Sequence, residues 1–131
     1  MNLDKYEKTI NTSWDNKEKV NPKSDKLTIE AIKETIELVD QGKIRVAEKK
    51  KKLLKKKKNV WIVNQWIKKA ILLSFKINEM QAVVGPYATW WDKVKGKTSG
   101  WGKEEHEAAG FRQVPNGVVR HGSFIAKNVV L

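Results

Sequence analysis

The stretch "VVRHGSFIAKNVVL", residues 118–131, spaces its aliphatic side chains by six, at Val119, Ile125 and Leu131. That period belongs neither to an α-helix nor to an alternating strand. It fits a parallel β-helix, in which each triangular coil has three short faces and one small aliphatic side chain per face points to the axis. Gly122 and Asn128, each three residues after an axial position, fall where corners need left-handed backbone. Alone, the period also fits an ordinary terminal strand, because coils need about three stacked repeats to bury their faces.

The preceding chain has a different grammar. Leu3, Tyr6, Ile10 and Trp14 recur every three or four residues, which predicts a helix from Asn2 to about Lys19. Pro22 ends it, and Ser24 or Asp25 can cap a second helix carrying the stripe Leu27, Ala31, Ile32, Thr35, Ile36, Leu38 and Val39, closed by Gly42. "KIRVAE" and "VWIVNQW" then alternate, predicting two strands of a hairpin. Between them "KKKKLLKKKK", residues 49–58, reads as an insertion at the hairpin tip, where added length costs little. "QWIKKAILLSFKIN" is long and apolar enough for the central helix of the core. After it come a Gly85-Pro86 turn, the pair Trp90-Trp91, a loop "KGKTSGWG", and a short helix "KEEHEAAG" ending at Gly110.

Bulk properties narrow the function. At 131 residues and 40% hydrophobic, the chain suffices for one domain with its own core. It has no apolar run near the ~18 residues of a membrane span, and its amino terminus does not read as a signal peptide, so a cytoplasmic location is expected. The absence of cysteine removes disulfides, thiolate metal sites and cysteine nucleophiles. The formal charge of +12 comes mostly from the one lysine run, without which about +4 remains. Lysine is poorly suited to reading base edges, and only Arg45, Arg112 and Arg120 are arginines, so the run reads as a solvated loop and nucleic acid is not an expected partner. "SGWGK" and "GKTSG" lack the spacing of a phosphate loop.

The stretches "RVAEK", "QWIKKAILLSFKIN", "WWDKV" and "GFRQVPNGVVRHGSFIAKNVVL", in that order, resemble the amino-terminal part of the tetrahydrodipicolinate N-succinyltransferase family, from about Thr28 to Leu131. The resemblance implies an α+β amino-terminal domain of helices plus a β-hairpin over residues 1–113. Residues 114–131 would then be the first coil of a left-handed parallel β-helix, with the rest missing. It further implies a homotrimer in lysine biosynthesis by the diaminopimelate pathway. The complete enzyme would move succinyl from succinyl-CoA, its cosubstrate, to tetrahydrodipicolinate, giving N-succinyl-2-amino-6-oxopimelate. Two departures from the family stand out: the lengthened loop after "RVAEK", and "KGKTSG" after "WWDKV" where a proline often comes.

Within that resemblance, Arg112 in "GFR" matches the family's substrate-binding arginine, and a guanidinium suits a dicarboxylate because it grips a carboxylate by two parallel hydrogen bonds. No catalytic, cofactor-binding or metal residue is carried over, because the family's catalytic carboxylates and the coils that hold coenzyme A are expected beyond this chain. The fragment alone is therefore expected to be inactive. His106, on a charged helix face, is expected to be exposed and without a role, and His121 to be a coil-corner residue. The tryptophans are expected in the core or an interface. The competing readings are a basic nucleic-acid-binding module, whose binding would be salt-sensitive, and a noncatalytic module that mixes into trimers.

Overall fold

The computed structural model describes residues 3–51 and 59–131. Helix α1 (Leu3–Asp15) places Tyr6, Ile10 and Trp14 on one side, and Ile10 is wholly buried. A 3-10 turn at Lys17–Lys19 follows, and Asp25 rather than Ser24 caps α2 (Lys26–Asp40), its carboxylate accepting the Thr28 N–H at 2.9 Å. Ser24 instead accepts from the amide of Asn21. Helix α2 ends as its sequence suggests, with Gly42 at φ +70° and the Lys43 amide returning to the Leu38 carbonyl. Helix α3 (Gln65–Ile77) completes a three-helix core of Ile10, Ala31, Ile32, Ala70, Leu73 and Ile77, flanked by Trp14 and Trp66. A buried hydroxyl pair, Ser13 and Thr28 at 3.2 Å, joins α1 to α2.

Two hairpins leave this layer, one more than the sequence predicts. The first pairs β1 (Ala47–Lys51) with β2 (Asn59–Val63), Ala47 opposite Val63 and Lys49 opposite Trp61. It starts three residues later than the alternation of Ile44 and Val46 suggests, because the Lys43 and Ile44 amides are taken by the Leu38 carbonyl at the end of α2. Lys49–Lys51 therefore belong to the strand, while the remainder of the lysine insertion, 52–58, lies outside the described residues. Asn64 is not a strand residue but the cap position of α3. The second hairpin pairs β3 (Gln81–Val84) with β4 (Thr89–Asp92) around a Pro86-Tyr87 tip.

Helix α4 (Lys103–Ala109) stops at Gly110, and the backbone then turns through positive φ at Gly110, Asn116, Gly122 and Asn128, an interval of six. Residues 110–131 thereby make one circuit and return parallel to their own start. Arg112 pairs with Val130, its N–H donating to Val129 and its carbonyl accepting from Leu131, both at 2.9 Å. Two residues earlier on each side, the Asn128 amide donates to the Gly110 carbonyl at 2.7 Å. Val119 is buried, Ile125 half-buried, and Leu131 38% exposed, so burial of the six-residue series fades toward the end. Among the described residues, no helix is long and apolar enough to cross a membrane.

Candidate functional site

Arg112 sits where α4 hands over to the terminal circuit. Phe111 before it is 6% exposed and tilts against Trp101, with ring centroids 5.9 Å apart. Gln113 after it is held on both ends, donating to the Gly117 carbonyl at 2.6 Å and accepting from the Thr98 hydroxyl at 3.1 Å. With flanking side chains fixed and its own peptide groups bonded to Val129 and Leu131, Arg112 projects an exposed guanidinium from a rigid backbone. Among the described residues it has no ion pair.

The other arginines are differently placed. Arg120 spends one nitrogen on both oxygens of Asp92, each at 2.8 Å, and lies over the Phe75 ring. The Asp92 carboxyl is held below the ordinary range, first by the Lys93 backbone N–H and then by the Arg120 charge, which outweigh partial desolvation. Arg45 is exposed, and its charge acts on Glu48.

His121 faces carboxylates on two sides, Glu37 at 3.6 Å from Nε2 and Asp40 at 3.5 Å from Nδ1. Asp40 also accepts the Gly122 N–H at 2.8 Å and the Lys97 ammonium, in a pair with only 9% and 12% of the two side chains exposed. Beside this knot a cleft of about 610 Å³ opens between α2, α3 and the circuit, with Ile36, Ile71 and Phe75 on its wall and Lys93, Lys95 and His121 at its lip. Arg112 is not among its lining residues. The structure thus brings His121 and Arg120 to one cleft and leaves Arg112 outside it.

His121 stands immediately before Gly122 at φ +97°, and it is tied to α2. His106 is half-buried rather than exposed, edge-on to Trp101 at 5.3 Å. Trp61, Trp90 and Trp91 are 62%, 45% and 66% exposed, which removes them from the core. Among the described residues no group of three histidine or acidic side chains could hold a metal ion. Asp40 and Lys97 escape sequence reasoning because 57 residues separate them; the only local signal at Asp40 is the helix end "DQG".

Residues 5–77 match the family described as tetrahydrodipicolinate N-succinyltransferase N-terminal. The chain is 53% identical over 132 residues to the 2,3,4,5-tetrahydropyridine-2,6-dicarboxylate N-succinyltransferase of Pelagibacter ubique, covering 98% of this chain and 46% of that protein. It is 46% identical to the protein of the same name from Agrobacterium fabrum, over 98% of this chain and 44% of that protein. For the Rhodopseudomonas palustris (strain BisB5) protein the identity is 43%, over 100% of this chain and 45% of that protein. The chain therefore spans a little under half the length of these relatives. The family match starts at Lys5 rather than Thr28, so α1 is part of the shared domain.

Proposed function

We propose, from the premise that this chain belongs to the tetrahydrodipicolinate N-succinyltransferase family, that it supplies the amino-terminal part of an acyltransferase and one arm of its substrate site. The reaction is transfer of succinyl from succinyl-CoA to the amine of ring-opened tetrahydrodipicolinate, a step of lysine biosynthesis, in a cytoplasmic homotrimer. Residues 114–131 are the first coil of a left-handed parallel β-helix. What supports the coil is the recurrence of positive φ every six residues and the return of Val130 onto Arg112 after eighteen, the geometry of three corners per turn.

The observation that carries the functional reading is Arg112 itself, a guanidinium without an ion pair among the described residues, on a backbone fixed from both sides. Binding a dicarboxylate needs such a group, because a charged, bidentate hydrogen bond orients as well as attracts. Acyl transfer further requires a base to keep the amine neutral and donors for the thioester oxyanion. Neither role falls to a residue that the family motifs identify in this chain, so the chain alone binds without turning over.

The test is thiol release from succinyl-CoA in the presence of tetrahydrodipicolinate, with the chain alone and with the chain fused in register to the remainder of the Pelagibacter ubique relative. The chain alone gives background release and the fusion gives turnover. In the fusion, Arg112→Lys raises KM for tetrahydrodipicolinate by about tenfold or more, the loss of a bidentate contact, with KM for succinyl-CoA unchanged. A folded fusion without turnover would sink the assignment, and an equal rise for both substrates would sink the role of Arg112.

A further inference from the structure

We infer that Val130 controls how available the Arg112 guanidinium is to an anionic ligand, and is thus a positioning residue for the carboxylate-binding arm. This rests on reading Arg112 as a carboxylate holder. In a parallel pair, directly opposed residues put their side chains on the same face, with strands about 4.8 Å apart. Arg112 and Val130 are such a pair, locked by two 2.9 Å hydrogen bonds, so the nearest side chain along the stack is Val130. It is 57% exposed and offers the guanidinium nothing to bond.

The contrast with Arg120 shows why that matters. There a carboxylate from β4, Asp92, reaches the guanidinium and takes both of its hydrogen bonds. Asp92 is an aspartate of β4, brought to Arg120 by the adjoining pairing of Gly96 with Arg120. At Arg112 the directly opposed residue, Val130, is aliphatic, and the guanidinium has no carboxylate partner among the described residues. A hydrocarbon beside the arginine keeps its stem directed outward and leaves its five donors for a ligand. A carboxylate at the same place would pair internally, and any incoming anion would have to displace it.

The experiment uses the 131-residue chain, glutarate as the dicarboxylate probe, and the Arg112 side-chain Nε–H resonance as the readout. In the unaltered chain glutarate shifts that resonance. Val130→Asp raises the glutarate midpoint about tenfold or more, and Val130→Asn, similar in size but uncharged, leaves it within about threefold. Val130→Lys, adding a cation beside the first, lowers the midpoint. Opposite shifts for the two charges are an outcome that a purely structural role for Val130 does not produce, and the lysine variant carries the test if the aspartate variant does not fold. Should glutarate leave the resonance of the unaltered chain unmoved, the carboxylate reading of Arg112 fails and this inference with it. Should glutarate bind but the aspartate and lysine variants shift the midpoint in the same direction, or not at all, this inference alone fails.

Discussion

Replacing Asp40 by alanine isolates the knot that ties the terminal circuit to the helices. The carboxylate is 12% exposed and its partner ammonium, on Lys97, 9% exposed; the same carboxylate takes the Gly122 amide at 2.8 Å. Without it, Lys97 keeps only the Asp40 carbonyl, at 3.4 Å, and remains a nearly buried charge. Removing one member of a buried pair costs about 3–5 kcal/mol, and the residual exposure on both sides places Asp40→Ala near the lower end, about 3 kcal/mol. That is a large part of the roughly 5–15 kcal/mol available to a domain of this size, and corresponds to a fall in Tm of about 10 °C. Asp40→Asn, which still accepts the Gly122 amide but leaves Lys97 uncompensated, loses about 2 kcal/mol. Pairing Asp40→Ala with Lys97→Met removes the orphaned charge, so the double variant is more stable than Asp40→Ala alone by about 1–2 kcal/mol. Urea unfolding followed by tryptophan fluorescence measures all three. A loss below about 1 kcal/mol for Asp40→Ala, or strict additivity in the double variant, would refute the assignment of the knot.

The corner residues answer to a simpler rule, that left-handed backbone costs a β-branched residue about 1–2 kcal/mol. Asn116→Val and Asn128→Val should each lose about that much by urea unfolding, whereas Asn128→Gly stays within about 0.5 kcal/mol; equal effects of valine and glycine would count against the corner geometry. Gly42→Ala combines φ +70° with a new Cβ only 2.6 Å from the Phe124 ring, so it destabilises, and Phe124→Ala relieves the clash without recovering the backbone cost of about 1 kcal/mol. Acid should destabilise the fold in a defined window. Asp25, Glu48, Asp92 and Glu105 are all held below their ordinary values, mainly by hydrogen bonds from Thr28, the Asn64 side chain, and the Lys93 and Glu105 backbone amides. Carboxyls depressed in the folded state stabilise it above the unfolded value of about 4 and lose that contribution as pH falls through the folded values. A Tm that is flat from pH 7 to 5 and drops below about 4, less steeply in Asp92→Asn, is the expected profile.

Local signals in the sequence are enough for the helices. Tyr6, Ile10 and Trp14, the Asp25 cap and the Gly42 stop are each written within a few residues of where they act. The hairpins are harder. In β1 three of the five residues are lysines, whose preference for strands is low, and pairing with Val60 and Trp61 imposes the conformation. In β3 and β4, strands of four residues are too short for alternation to register, and only the Gly85-Pro86 turn is legible. Trp61, Trp90 and Trp91 look like core residues because they stand among aliphatics, yet each is exposed on its hairpin.

The six-residue series shows how far a partial reading reaches. Gly122 and Asn128 can be picked from the sequence as corners, and the structure extends the register back through Asn116 to Gly110, which doubles as the stop of α4. One glycine thus ends a helix and begins the circuit, so the change of architecture occurs without a linker. The circuit is then held from outside, by Gly96 on Arg120, Asp92 on Arg120, Tyr87 on Asn116 and Asp40 on Gly122. Each clasp joins residues more than twenty positions apart, beyond the reach of any periodicity. Leu131 is 38% exposed, and these clasps are what hold the circuit against the rest of the structure. Arg112 inherits its fixed position from them: the backbone it stands on is rigid because the returning strand is pinned to α2 and to β4 before it reaches Val130.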